Sequence, residues 1–195
     1  DQVVPYEFRL AEMLYQQERV EIEFDGERLE YELSGDAETK RAYAELRRLA
    51  KGSAVEARRS LIAQIGSTDV DDYTIITTEM VEQLGTNPLV TVGSHGHEHR
   101  PLGELSNEDV KTNIQQSNQI LSDTVGNPID HFSFPYGSTS PFAVRTVERL
   151  GYESGVTTES RRVKPRDWNR CYRIPRVDMS TFTNTTALEQ QFYLF

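Results

Sequence analysis

The hydrophobic pattern changes period several times along the chain, and each change marks an element. From Tyr6 to about Gln17 the residues Phe8, Leu10, Ala11, Leu14 and Tyr15 recur near a 3.6 period, which predicts an amphipathic helix. Val20 to Phe24 and Leu29 to Leu33 then alternate apolar and charged positions strictly, with Asp25-Gly26 between them as the preferred pair for a two-residue hairpin turn. Closing that turn sets Val20 opposite Tyr31 and Ile22 opposite Leu29 on an apolar face, and Glu23 opposite Arg28 on the other. Asp36 to Lys51 returns to the helical period with Ala42, Leu46 and Leu49 on one side, and Gly52 stops it. Ser53 and Glu56 have the spacing of a capping box that starts another helix to about Ile65.

Residues 1–66 thus read as a helix, a hairpin and a helix pair with no cluster of reactive groups, an insertion or support region. Ser67 to Asp72 is polar and loop-like, and its Asp71-Asp72 pair reads as a solvated turn. Residues 67–195 carry the rest, and the two regions are expected to form one structural domain.

From Ile75 onward strand and helix alternate, the signature of an α/β fold. Thr77 or Thr78 caps a short helix through Leu84, and the apolar run Leu89 to Val92 predicts a strand. Ser106 and Asp109 form a second capping box, opening a helix with Val110, Ile114, Ser117 and Leu121 on one face that stops at Gly126. A strand is predicted over Ile129 to Phe134, then a turn at Pro135-Tyr136-Gly137. A helix opens at Ser140-Pro141 and runs through Leu150, and two short strands follow at Ser154 to Thr158 and Tyr172 to Val177. In such folds the loops after the strands build the site, so His99 and Tyr136, each just past a strand, are placed to converge.

Composition narrows the functional classes. Basic residues number 21 against 31 acidic ones, a formal net charge of -10, with no basic run of the kind nucleic-acid binding needs. No stretch approaches the roughly 20 apolar residues of a membrane helix. Cys171 is the sole cysteine and reads as a small buried hydrophobe, so no intrachain disulfide forms and compartment stays open.

Three of the four histidines, His95, His97 and His99, lie in one loop. His95 and His99 are four apart, a spacing that suits two neutral imidazole ligands of a divalent metal and equally suits surface or helix-cap histidines. His97, between them, points elsewhere and reads as a loop or solvent residue. Glu98 reads as hydrated, and His131 as a strand-edge residue.

Taken in order, Gly93-Ser94-His95, His99, Pro101-Leu102, Leu105-Ser106, Phe132, Phe134-Pro135-Tyr136-Gly137, Gly151-Tyr152, Val156-Thr157-Thr158 and Ile174-Pro175-Arg176 resemble the polysaccharide deacetylases of carbohydrate esterase family 4, over about residues 75 to 180. The resemblance implies a distorted, incomplete (β/α) barrel, with the N-terminal helix-hairpin-helix region as an insertion. It implies His95 and His99 as ligands of a divalent metal, usually zinc, and Tyr136 as a backbone N–H donor to an oxyanion. It implies removal of N- or O-acetyl groups from a polysaccharide or oligosaccharide, with Pro135, Tyr136 and Gly137 against the substrate. Trp168, in an Asp167-Trp168 pair that echoes a family motif, is a candidate groove wall.

The family's opening Thr-Phe-Asp-Asp-Gly run, which supplies a third ligand and the general base, has no counterpart before His95, and Ser133 stands where many members carry arginine. Two readings follow: a C-terminal portion of a deacetylase, or a catalytically degenerate carbohydrate-binding or scaffold domain on the same fold. An amidase acting on a non-sugar amide is a third, by analogy of fold. A missing strand would leave a sheet edge for a second copy of the chain, so a homo-oligomer is an expected partner arrangement.

Overall fold

A computed structural model describes residues 6–53, 55–65, 76–168 and 171–177. The chain divides into two compact units, residues 1–77 and 78–195.

The first unit is built around the hairpin. Strands β1 (Arg19–Phe24) and β2 (Glu27–Glu32) pair antiparallel with Val20 opposite Tyr31, Ile22 opposite Leu29 and Glu23 opposite Arg28. Asp25 (φ 53°) and Gly26 (φ 81°) both adopt the left-handed conformation, whose twist matches that of the flanking strands. The apolar face packs with helices α1 (Tyr6–Gln16), α2 (Asp36–Gly52) and α3 (Val55–Gln64) around Leu10, Leu14, Ile22, Leu46 and Leu61, all fully buried. On the opposite face Arg28 ion-pairs with Glu21 and Glu30 rather than with Glu23 across from it. Asp36, at the start of α2, accepts from Lys40 at 2.6 Å and from the Tyr15 hydroxyl at 2.9 Å. These bonds, Lys40's first, hold the Asp36 carboxyl below its ordinary range. Ser53 does not open α3 as a cap. Its hydroxyl donates to Ala50 O at 3.1 Å, at the end of α2.

The second unit is mixed α/β, with a short parallel sheet. Strands β3 (His131–Ser133) and β4 (Ser154–Val156) pair in parallel, and single bridges join Ser94 to Phe132 on one side and Ile174 to Val156 on the other. Four parallel segments therefore lie side by side in chain order. Helices α5 (Asn107–Val125) and α6 (Pro141–Arg149) make the crossovers, and α4 (Thr78–Gly85) packs on α5. Among the described residues the sheets are small and form no complete barrel.

Two predicted strands are much shorter than expected. Leu89 to Val92 forms no ladder: Val90 N–H turns back to Asn87 O, Leu89 is 92% exposed, and pairing begins only at Ser94. Tyr172 to Val177 shrinks to the Ile174 bridge, with Cys171–Arg173 coiled into one tight turn. At both edges the outer side has no neighbour among the described residues, and a parallel strand paired on one side gains little from further extension.

Phe132 and Phe134 share one face of β3, where their rings meet edge to face at 5.0 Å and Tyr152 joins at 5.4 Å. With Val110, Ile114, Ala143 and Val147 they form the core under the sheet, and Ser133 between them faces the other way. The Ser106 cap forms as expected: its Oγ accepts from Asp109 N–H at 3.1 Å and donates to the Asp109 carboxylate at 2.8 Å. Ser106→Ala is expected to cost about 1 kcal/mol, read as a lower denaturant midpoint by far-UV circular dichroism. An unchanged midpoint would show that the cap contributes nothing.

Candidate active site

The site grows from Ser94. Its N–H donates to His131 O and its carbonyl accepts from Ser133 N–H, both at 2.8 Å, while its buried hydroxyl meets the Ser117 hydroxyl at 2.8 Å. The residue that follows is thereby delivered to the open end of β3. His95 Nδ1 lies 2.6 Å from Ser133 O. A carbonyl oxygen only accepts, so Nδ1 carries a proton, and in the neutral ring the lone pair lies on Nε2.

The loop then has to return His99 to His95. Gly96 makes the turn at φ 78°, where an added Cβ would lie 2.8 Å from Asn113 Oδ1. Asn113, buried on α5, accepts from His97 N–H at 2.8 Å and donates to Glu98 Oε2 at 3.4 Å. Glu98 also stands 3.6 Å from Arg100 Nη1, so its carboxylate is engaged within the loop rather than simply hydrated. The His97 side chain is exposed, and His131 is exposed with Nδ1 2.9 Å from Ser154 Oγ.

The rings of His95 and His99 lie 4.9 Å apart between centroids, and those of His99 and Tyr136 4.7 Å apart. His99 (φ 51°) and Tyr136 (φ 56°) are left-handed, the only described non-glycine residues besides the hairpin's Asp25 to be so. Left-handed backbone costs a side-chain-bearing residue roughly 1–2 kcal/mol, so the surrounding contacts must impose it. For Tyr136 they are visible: Thr158 Oγ1 donates to Tyr136 O at 3.1 Å, and Gly137 (φ 68°) sits so close to Thr158 that a Cβ would fall 2.6 Å from its backbone nitrogen. Pro135 is buried beneath the turn.

The structure thus brings together His95, His99, Tyr136, Pro135 and Gly137 after the ends of parallel segments. Asp71 and Asp72 lie outside the described residues, as does the side chain of Trp168 at the end of the short helix α7 (Pro165–Trp168). Asp167 is buried, takes a two-point contact from Arg161 at 2.6 and 2.9 Å, and accepts from Lys164 N–H. That pairing and Glu159 push the Arg161 guanidinium above its ordinary range.

Two imidazoles, one with its tautomer set by a carbonyl, fit a divalent ion such as zinc. Among the described residues no group of three or more His, Cys, Asp or Glu side chains gathers to hold a metal, so the fit extends to two ligands. Asn113, Ser117, Thr158 and Arg176 support the site. The sequence placed Ser117 on the apolar face of α5 and Thr158 and Arg176 in the series shared with the deacetylases, without a role in the site, and Asn113 was missed although it is a polar side chain on that same face of α5.

The family model described as polysaccharide deacetylase matches residues 54–155, just over half of the 195 residues. No curated protein matches the chain. Among solved structures, the Streptococcus pyogenes deacetylase PplD in complex with acetate is similar at TM-score 0.54 and 18% identity, covering 64% of this chain and 54% of that one. A Bacillus anthracis protein described as a candidate polysaccharide deacetylase is similar at TM-score 0.51 and 16% identity, covering 63% and 38%. At these identities the likeness is one of fold, and the chain spans about half the length of the first structure and less of the second.

Asn113→Leu is expected to preserve the far-UV spectrum, lower stability by about 1–3 kcal/mol, and shift the ring NMR signals of both His95 and His99. Unmoved ring signals would mean that Asn113 does not hold the loop. Gly137→Ala should destabilise by more than about 1 kcal/mol. Gly151→Ala, at φ 85° with open space around it, supplies the control for backbone strain alone. Equal losses in the two variants would remove the Thr158 contact from the account.

Proposed function

Because the chain belongs to the polysaccharide deacetylase family, we propose that it is a metal-dependent hydrolase that removes N- or O-acetyl groups from a polysaccharide or oligosaccharide. His95 and His99 hold the metal, zinc being the ion that two neutral imidazoles suit best. Tyr136 offers its backbone N–H to the carbonyl oxygen as it gains negative charge. Pro135, Gly137 and Trp168 are assigned to the substrate side, and residues 1–66 to an insertion or support that carries no chemistry.

One observation carries this reading: the His95 Nδ1 bond to Ser133 O, which turns Nε2 into the available ligand atom in a loop whose second imidazole lies 4.9 Å away. A histidine that merely decorates a surface gains nothing from a fixed tautomer, whereas a metal ligand is oriented by such a bond. When bound, a divalent ion supplies Lewis acidity, polarising the acetyl carbonyl and making water a stronger acid. The chain's own contribution is positional. The strained turn at Tyr136, braced by Thr158, keeps the Tyr136 ring close to the second imidazole. Gly137 after it, at φ 68°, lets the turn pack directly against Thr158.

The alternative, a degenerate carbohydrate-binding or scaffold domain on the same fold, draws its support from the lack, among the described residues, of a group of three or more His, Cys, Asp or Glu side chains that could hold a metal. The two separate by experiment. His95→Ala and His99→Ala are each expected to abolish stoichiometric zinc uptake in elemental analysis. The zinc-loaded parent protein should release acetate from chitooligosaccharides or another acetylated glycan. Unchanged zinc uptake in both variants sinks the metal site. Zinc uptake without acetate release from any acetylated glycan supports the binding domain instead.

A further inference from the structure

Arg176 is a charged side chain at the sheet end to which the proposed hydrolysis gives no role. It follows the Ile174 bridge, and its own N–H donates to Glu159 O at 3.1 Å. Its guanidinium donates from Nε to Thr157 O at 2.9 Å and from Nη2 to Ser133 Oγ at 3.2 Å. Both acceptors are neutral. Arg100 and Arg161, held in the same unit, each reach a carboxylate. For Arg176 no ion pair forms among the described residues, although the chain carries 31 acidic residues against 21 basic ones.

Ser133 receives Arg176 on its hydroxyl and His95 on its carbonyl, so the guanidinium and the first imidazole are anchored on one residue. Thr157, which receives Nε, precedes the Thr158 that braces Tyr136. An exposed arginine usually loses much side-chain entropy when it grips an anion. Here two bonds already hold the fork, and its remaining N–H donors match the planar, two-oxygen geometry of a carboxylate.

The geometry points to a carboxylate subsite anchored by Arg176 beside the histidine pair. The choice of ligand rests on the deacetylase reading: acetyl hydrolysis releases acetate, and an acidic sugar unit next to the acetylated one carries a carboxylate of its own. The subsite therefore serves either the leaving product or an acidic glycan, by the same chemistry.

The test uses the full chain stripped of metal, so that no turnover enters the result. Binding is followed by NMR titration with sodium acetate, with the disaccharide of N-acetylglucosamine and glucuronate, and with neutral diacetylchitobiose. Arg176→Met is expected to weaken a carboxylate ligand on the order of tenfold, the loss of a hydrogen bond to a charged group, and to leave the neutral disaccharide unchanged. Arg176→Lys, which keeps the charge without the fork, should fall between. Loss confined to acetate assigns the subsite to the product. Loss confined to the acidic disaccharide assigns it to the substrate. Equal binding of both carboxylates by parent and Arg176→Met, no binding of either by the parent, or an equal loss of the neutral disaccharide overturns the proposal. None of these outcomes depends on zinc uptake or acetate release, so the hydrolase reading stands or falls separately.

Discussion

One residue of parallel pairing, Ser94 against β3, sets the position of everything that could do chemistry here. The bonds from Ser94 N–H to His131 O and from Ser133 N–H to Ser94 O register the loop against the sheet. Buried Ser94–Ser117 contact ties the same point to α5. With the register set, His95 reaches the Ser133 carbonyl without further adjustment. A slip by one residue would turn Ser94 outward and send His95 into the core, since side chains alternate across a strand.

Around that point the fold supports strain with ordinary means. His99 and Tyr136 hold unfavourable backbone conformations, and groups far off in sequence brace their neighbourhood: Asn113 on a helix holds the loop at His97, and Thr158 after β4 holds Tyr136. Such costs persist only where neighbours over-determine the conformation, and they concentrate at functional sites. The hairpin's Asp25 makes the contrast, since its left-handed turn is explained locally by the strands on either side. At Tyr136 the local turn bonds, from Gly137 N–H to Phe134 O and from Ser138 N–H to Pro135 O, are joined by the distant Thr158.

This contrast also explains what could be read from the chain. The hairpin register, the capped start of α5 and the Ser140-Pro141 start of α6 are written in neighbouring residues, because turn chemistry and caps act over a few positions. The histidine loop and the Pro-Tyr-Gly turn were visible as types and spacings. The lengths of the strands were not, because Leu89 to Val92 is as apolar as a strand and lacks only a neighbour to pair with. Nor was the Arg176 contact with Ser133, because a guanidinium is common on any surface, and its meaning depends on which oxygens it meets. Ser53 shows the local rule failing for a local reason, since the same hydroxyl can close one helix or open the next.

The bonds that aim His95 and Arg176 at Ser133 span 38 and 43 residues of chain. Contacts that close long loops repay their entropy late in folding, after local turns and helices have formed. They sit, moreover, at the margin of a two-stranded sheet three residues long, whereas Ile114, Phe134 and Val147 beneath it are fully buried. Burial is therefore graded across the unit, and elements with few buried contacts open at lower cost than a packed core. Dispersal of the histidine pair and unfolding of the aromatic core are thereby expected as two separate events.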